Sequence, residues 1–195
     1  MLNLERQKLF EAILFFLKNT KYCGLVKLFK LLYYLDMLHF RETGRSVSGL
    51  LYKALPYGPV PTALYDELGN PPPDLAQVIS ITSPPPKDSE STTPPLTIIK
   101  ARKHFNSNYL TKREQRIANE IAEIFRDVKA EDISDISHAR NGPWDLAKKR
   151  GHGKWNQIID YLDSLNLSIG SGQPISFELL KAREEEFLEA RRFFN

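Results

Sequence analysis

The chain has 195 residues, of which 42% are hydrophobic and 26% charged, and this balance excludes wholesale disorder because it supplies enough apolar surface for a core. A formal net charge of +3 is too small to favour any class of partner. The single cysteine, Cys23, excludes an intramolecular disulfide, and no apolar run reaches the ~20 residues of a membrane span. Because the N-terminus lacks the features of a signal peptide, we expect a cytoplasmic protein.

The first two predicted helices differ in their apolar pattern. Residues 4–19 place Phe10, Ile13 and Leu17 at the spacing of one buried helix face. Residues 24–42 are apolar almost all round. A helix without a polar face lies in the middle of a fold, so this segment is the predicted central helix.

A short strand and a turn are predicted to follow. Residues 50–55 suit a strand, and Gly58 and Pro59 then predict a tight reversal into a helix over 59–68. Glycine allows a positive φ, and proline is tolerated at the first helical position. Pro59 is therefore the expected first residue of that helix.

A proline-rich insertion is predicted at residues 70–103. Residues 70–95 hold eight of the thirteen prolines, at positions 71, 72, 73, 84, 85, 86, 94 and 95. The segments 77–82 and 96–101 are rich in β-branched residues, with turn-forming residues between them, and they predict a hairpin arm. Because an exposed arm can pair with another chain, the oligomeric state stays open.

Two capping signals mark the remaining helices. Thr111 and Glu114 form a capping box that opens a helix over 112–129. Ser176 is a favourable N-cap for a charged helix over 177–192. Together the elements predict an α+β fold that is mainly α, with a central buried helix surrounded by helices and accompanied by a small antiparallel sheet.

A search for catalytic and metal-binding motifs finds none. The four histidines have no metal-ligand spacing, and neither a nucleophile elbow nor a phosphate-binding loop is present. The sequence therefore predicts no enzyme, no metal and no cofactor. Two alternatives stay open. One is an acid–base pair around His138. The other is nucleic-acid binding by the basic loop 148–155, although such a loop can also be an ordinary solvated surface loop.

One constellation of residues is more specific than any of these motifs. It comprises Lys27, Lys30, Leu31, Leu32 and Tyr33, then Tyr52 and Ala54, then Gly58, Pro59, Val60 and Tyr65, and finally Ile133, Ser134, Ser137, His138, Pro143 and Trp144. This pattern resembles the Panacea domain, the SocA-like antitoxin family, over roughly residues 5–165. The resemblance divides the chain into an antitoxin-like domain over 1–165 and a C-terminal charged helix over 166–195.

The resemblance implies an antitoxin of a bacterial or phage two-gene toxin–antitoxin pair. Such a protein would neutralise a cognate toxin by direct protein–protein binding, without catalysis, membrane or nucleic acid. The tyrosines of the motif either pack at the edge of the core or present an aromatic surface. The candidate partner-binding residues are Tyr33, Tyr57, Pro59, Val60, Tyr65, His138 and Trp144.

Overall fold

The computed structural model describes residues 3–82, 97–167, 169–183 and 185. The helices are α1 (Leu4–Asn19), α2 (Leu25–Thr43), α3 (Thr62–Gly69), α4 (Pro73–Val78), α5 (Lys112–Ile124), α6 (Ala130–Ser137) and α7 (Pro143–Arg150). The strands are β1 (Lys53–Leu55), β2 (Gly58–Val60), β3 (Ile79–Thr82), β4 (Ile98–Ala101) and β5 (Gln157–Ile158). Short 3₁₀ turns cover Ser107–Tyr109 and Tyr161–Asn166. The predicted α+β class, mainly α, is confirmed.

The centre of the fold is α2, as its apolar sequence predicts. It begins after Gly24 and ends at Gly44, whose φ of 70° closes the helix in the left-handed region. Its side chains are buried on all sides, and α1, α5, α6 and β2 all pack against it. Burial of so many apolar side chains in one helix contributes a large share of the hydrophobic stabilisation.

A buried carboxylate orders the loop that leads from α2 to the first sheet. Asp36 Oδ1 accepts hydrogen bonds from the backbone N–H groups of Val47 and Ser48, each at 2.8 Å. Its Oδ2 accepts from the Ser48 hydroxyl and, at 2.7 Å, from the Tyr52 hydroxyl. Burial raises the pKa of Asp36, and these four donors satisfy the carboxylate inside the core.

The larger sheet is antiparallel, with strand order β2-β1-β5. Lys53 lies opposite Val60 on one side and opposite Ile158 on the other. Residues opposite one another share a face of the sheet, so these three side chains lie together. The neighbouring residue, Ala54, is buried on the other face, towards the core.

The smaller sheet is the predicted hairpin of β3 and β4. Ile79 pairs with Ala101, and Ile81 pairs with Ile99. The predicted tip of the arm lies outside the described residues. The sequence did not predict α4, a one-turn-and-a-half helix that precedes β3 and buries Leu75 and Val78.

Two predicted helix boundaries are wrong. Gly58 and Pro59 belong to β2, and α3 begins only at Thr62. Proline is tolerated there because β2 is an edge strand, where a missing N–H costs no ladder bond. The helix predicted to run to residue 129 ends at Ile124, because the chain then turns and the carbonyls that follow are bonded to a lysine of α2.

That lysine is Lys27, which is fully buried. Its Nζ donates to the carbonyl oxygens of Lys21, Arg126 and Val128 at 2.7, 3.3 and 2.6 Å. Three carbonyl acceptors replace the water that a charged amine loses on burial. The contact joins the start of α2 to the segment between α5 and α6.

The capping box predicted at the start of α5 is confirmed. The Thr111 hydroxyl accepts from the Glu114 N–H at 3.3 Å, and the Glu114 carboxylate accepts from the Thr111 N–H at 2.7 Å. Lys8 of α1 donates to the same carboxylate at 2.6 Å. The cap therefore also joins α1 to α5.

The segment after the second 3₁₀ turn is bonded to α2. Arg41 donates to the carbonyls of Leu167 and Ile169 at 2.8 and 2.7 Å. Residues 177–183 are helical, and Leu179 N–H donates to the predicted cap, Ser176, at 3.3 Å. Residue 185 is also helical, the predicted helix from 186 to 192 lies outside the described residues, and the domain division at 165 stays a prediction. In the part of the chain that the structure describes, no helix has the length and apolar character needed to cross a bilayer.

Candidate partner-binding site around the Gly58 turn

The site is centred on the turn between β1 and β2, beneath which one lysine of α2 is buried. Lys30 is 1% exposed, and its Nζ donates to the Pro59 carbonyl at 3.0 Å. It forms no ion pair with any described residue. Burial lowers the pKa of Lys30 to about 7, because the charged amine loses its water without gaining a carboxylate.

Glycine is required at the turn for two reasons. Gly58 has a φ of 98°, which L-residues with a side chain rarely adopt. A Cβ at this position would lie 2.6 Å from Ser137 Oγ and 2.7 Å from Lys30 Cε. The Ser137 hydroxyl donates to the Ser134 carbonyl at 2.6 Å, and this bond holds it in the position that an added Cβ would meet.

An indole fastens α7 to the same turn. Trp144 Nε1 donates to the Leu55 carbonyl at 3.0 Å, and its ring stacks on His138 with centroids 4.0 Å apart. Pro143 occupies the first turn of α7, where its missing N–H is harmless. Trp144 is only 6% exposed, so most of the ring contributes packing rather than open surface.

His138 is held as a packing residue. Burial and the nearby charge of Lys30 both lower its pKa, which favours the neutral imidazole. Its Nε2 is buried and has no hydrogen-bond partner among the described residues. No acid–base partner among the described residues lies within hydrogen-bond distance of Nε2.

Exposed apolar residues lie on the β1–β2 turn, on β5 and just before β5. Tyr57 is 78% exposed, Ile158 is 59% exposed and Trp155 is 42% exposed. Val60 is half-buried and lies in the same row as Lys53 and Ile158. We define the sheet patch as Tyr57, Val60, Trp155 and Ile158, together with Lys53 of the central strand β1.

The structure brings most of the predicted partner-binding residues together, but not all. Pro59, His138 and Trp144 are packed around the turn, while Tyr57 and Val60 face outwards. Tyr65 is 54% exposed on α3, with its ring 6.2 Å from that of Phe29.

Tyr33 lies away from the turn, in the core, whereas Pro59 and Trp144 are buried at the turn itself. It is 1% exposed, and its ring packs edge-on against Tyr34 and Tyr52 at 5.2 and 5.5 Å. A buried ring cannot contact a partner unless the fold opens. The place of Tyr33 is therefore among the core tyrosines and not on the sheet patch.

Sequence reasoning missed Ile158 as an exposed residue, and it considered Trp155 only as part of the basic loop 148–155. The signal for Trp155 is its position at the end of a basic segment. The same pattern is equally typical of an ordinary surface loop. Ile158 lies in a strand of two residues, too short for apolar–polar alternation to appear in the sequence. Only the pairing of β5 with β1, which sets Ile158 opposite Lys53, places this segment on the larger sheet.

Two of the four lysine and arginine side chains of the basic loop pair with neighbouring acids. Lys149 pairs with Asp145 at 2.7 Å, and Arg150 donates to Asp163 at 2.9 Å. Lys148 Nζ lies 4.4 Å from the centroid of the Trp155 ring, as in a cation–π contact. A nucleic acid would have to compete with these contacts for both the cations and the indole.

The described residues contain no group of three or more His, Cys, Asp or Glu side chains that could hold a metal ion. The geometry around Gly58 is thus that of a braced turn with an exposed apolar face. Such a face suits contact with another protein, since exposed aromatic and aliphatic residues on a rigid support are typical of interfaces.

The comparison with protein families agrees with the resemblance seen in the sequence. The model of the antitoxin SocA-like, Panacea domain family matches residues 28–145. The match contains Lys30, Gly58, His138 and Trp144, and it ends before Trp155 and Ile158. No match was found among curated proteins or among solved structures.

Proposed function

The chain belongs to the SocA-like Panacea domain family, and from this premise we propose that it is an antitoxin that neutralises a cognate toxin by binding it directly. The binding involves no catalysis and takes place in the cytoplasm. The contact surface is the sheet patch, extended by Tyr65 on α3. The observation that carries this proposal is the exposure of Tyr57, Trp155 and Ile158 beside a turn that the core holds rigidly.

Rigid support matters because a partner then binds without first ordering the surface. The Pro59 carbonyl is fixed by Lys30 from below, and the Leu55 carbonyl is fixed by Trp144 from the side. Both ends of the turn that presents Tyr57 are therefore held before binding. Preorganisation of this kind lowers the entropic cost of association.

The composition of the patch also suits an interface. Tyrosine and tryptophan are enriched among residues that dominate binding energies, and a large exposed ring is costly to leave in water. Lys53 and Lys148 provide charge at its centre and edge. A toxin that binds here would bury the aromatic side chains and meet these charges with acidic or polar groups.

The experiment is growth rescue followed by co-purification. Cells express the gene encoded next to this one, with or without this protein, and the complex is then isolated. We expect toxicity, rescue and a stable complex. Toxicity without rescue, or rescue without a complex, would overturn the proposal.

A matched pair of double variants maps the surface. Tyr57→Ser with Ile158→Ser removes two exposed side chains of the patch, and Tyr109→Ser with Ile124→Ser removes exposed side chains of the same types elsewhere. We expect the first pair to lose rescue and the complex, and the second pair to retain both. Equal thermal stability of the two proteins would show that the loss comes from binding.

A further inference from the structure

A second concave surface lies between α1 and β4, and it shares no residue with the Gly58 turn. It is a cleft of about 370 Å³ that runs from Leu14–Lys18 on α1 to Ile99–Phe105 on the hairpin side. This volume is near the lower end of the range for ligand pockets, roughly 300–1,000 Å³, which is room for a few side chains. The proposed toxin-binding patch leaves the cleft unexplained.

The floor of the cleft is apolar and fixed. Leu17 and Phe105 are half-buried there, and the Phe105 ring packs edge-on against Phe15 with centroids 5.3 Å apart. Glu11 accepts from the Asn106 N–H at 2.7 Å, which ties the segment after β4 to α1. The floor is therefore part of the folded core and not a gap between loosely packed elements.

The rim of the cleft is basic and unpaired. Lys18, Lys100, Lys103 and His104 line it, and all four are exposed. Within the described ranges none of their side chains forms an ion pair or a hydrogen bond with another residue. Elsewhere on the surface lysines do find carboxylates, as Lys149 does. An apolar floor bounded by unpaired cations is complementary to a ligand that is both acidic and apolar.

We propose that this cleft binds an acidic segment of a partner protein, with its apolar side chains on the floor and its carboxylates against the rim. The floor favours a protein segment over a nucleic acid. Nucleic-acid surfaces offer open ring faces to bases, whereas Phe105 is engaged with Phe15 and Leu17 is aliphatic. The proposal holds whether or not that partner is the toxin.

The test uses a short fluorescein-labelled peptide of alternating glutamate and leucine, with fluorescence polarisation as the readout. The intact chain binds it saturably, and a glutamine–leucine peptide binds about tenfold more weakly or worse, because the carboxylates are lost. Lys100→Glu with Lys103→Glu weakens binding of the glutamate peptide by about tenfold or more. The control is Lys112→Glu with Lys129→Glu, which makes the same charge change at exposed sites elsewhere and leaves affinity within about twofold.

Three results would overturn the proposal. One is the absence of saturable binding by the intact chain. Another is an equal loss of affinity in both double variants, which would show that the net charge of the protein, and not the cleft, determines peptide binding. The third is tighter binding of a labelled DNA duplex, lost selectively in Lys100→Glu with Lys103→Glu, which would assign the cleft to nucleic acid. Because the peptide assay needs no toxin, its failure is distinguishable from a failure of growth rescue.

Discussion

Replacing Lys30 by methionine should make the protein more stable, although it removes a hydrogen bond from the centre of the site. The Lys30 amine is buried, its acceptor is the Pro59 carbonyl, and no described carboxylate pairs with it. Methionine has a similar length and no charge, so it fits the same space without the cost of desolvation. The change therefore tests whether the turn rests on a buried charge.

The magnitude follows from the pKa of Lys30, which falls from 10.5 to about 7 in the folded protein. Each pKa unit corresponds to about 1.4 kcal/mol, so the buried charge costs at most about 5 kcal/mol. Because the folded pKa is lowered, the unfolded chain binds more protons between pH 7 and 10.5. The stability of the natural protein therefore rises with pH across this window, and the full cost applies below it.

Chemical denaturation at pH 7 and at pH 9.5 measures both effects. The lost bond to Pro59 costs Lys30→Met about 1 kcal/mol, so we expect a net gain of roughly 3–4 kcal/mol at pH 7. At pH 9.5 the remaining cost of the charge is about 1.4 kcal/mol, and the gain should nearly vanish. Lys112→Met, at an exposed position, should change stability little at either pH. A variant less stable at pH 7, or a gain independent of pH, would refute the account of a buried, uncompensated amine.

Three further changes test the support of the site. Gly58→Ala should destabilise the fold by about 2 kcal/mol or more and abolish rescue, because the added Cβ meets Ser137 at a positive φ; a stability equal to that of the natural protein in thermal unfolding would contradict this. Trp144→Phe should cost about 1 kcal/mol in denaturant unfolding, since the bond to the Leu55 carbonyl is lost, and an unchanged midpoint would show that this bond is dispensable. Asp36→Asn should cost about 2–3 kcal/mol, because an amide brings donors to a site that already supplies four; a calorimetric scan without a lowered midpoint would count against it.

The sequence predicts the elements whose signals are local. The all-round apolar pattern of residues 24–42 identifies the central helix, and Thr111 with Glu114 identifies the start of α5. The hairpin follows from its two β-branched segments. Each of these depends on neighbours in the chain, and for that reason the prediction succeeds.

The parts that the sequence does not predict depend on contacts between distant residues. Pro59 reads as a helix start, but pairing of β2 with β1 makes it part of a strand. The end of α5 depends on Lys27, which lies about a hundred positions earlier and bonds to the carbonyls beyond the helix. Tyr33 is buried because other elements cover α2, whereas Tyr57 is exposed because it lies in the turn between β1 and β2. The residue type does not distinguish the two cases.

The two lysines near the start of the central helix are themselves a signal of burial. Lys27 and Lys30 lie in a helix with almost no polar face, so at least one of them had to be buried. A buried lysine is expensive and marks a position of structural or functional weight. The structure shows that both are buried. Lys30 lies beneath the Gly58 turn, and Lys27 is bonded to the segment that follows α5.

The most direct test of toxin binding through the sheet patch is hydrogen–deuterium exchange on the purified antitoxin–toxin complex, compared with the free protein. We expect slower exchange at residues 53–60 and 155–158 in the complex, with the rest of the surface changed little. Protection confined to other segments, with these two unchanged, would contradict the assignment of the sheet patch as the toxin-binding surface.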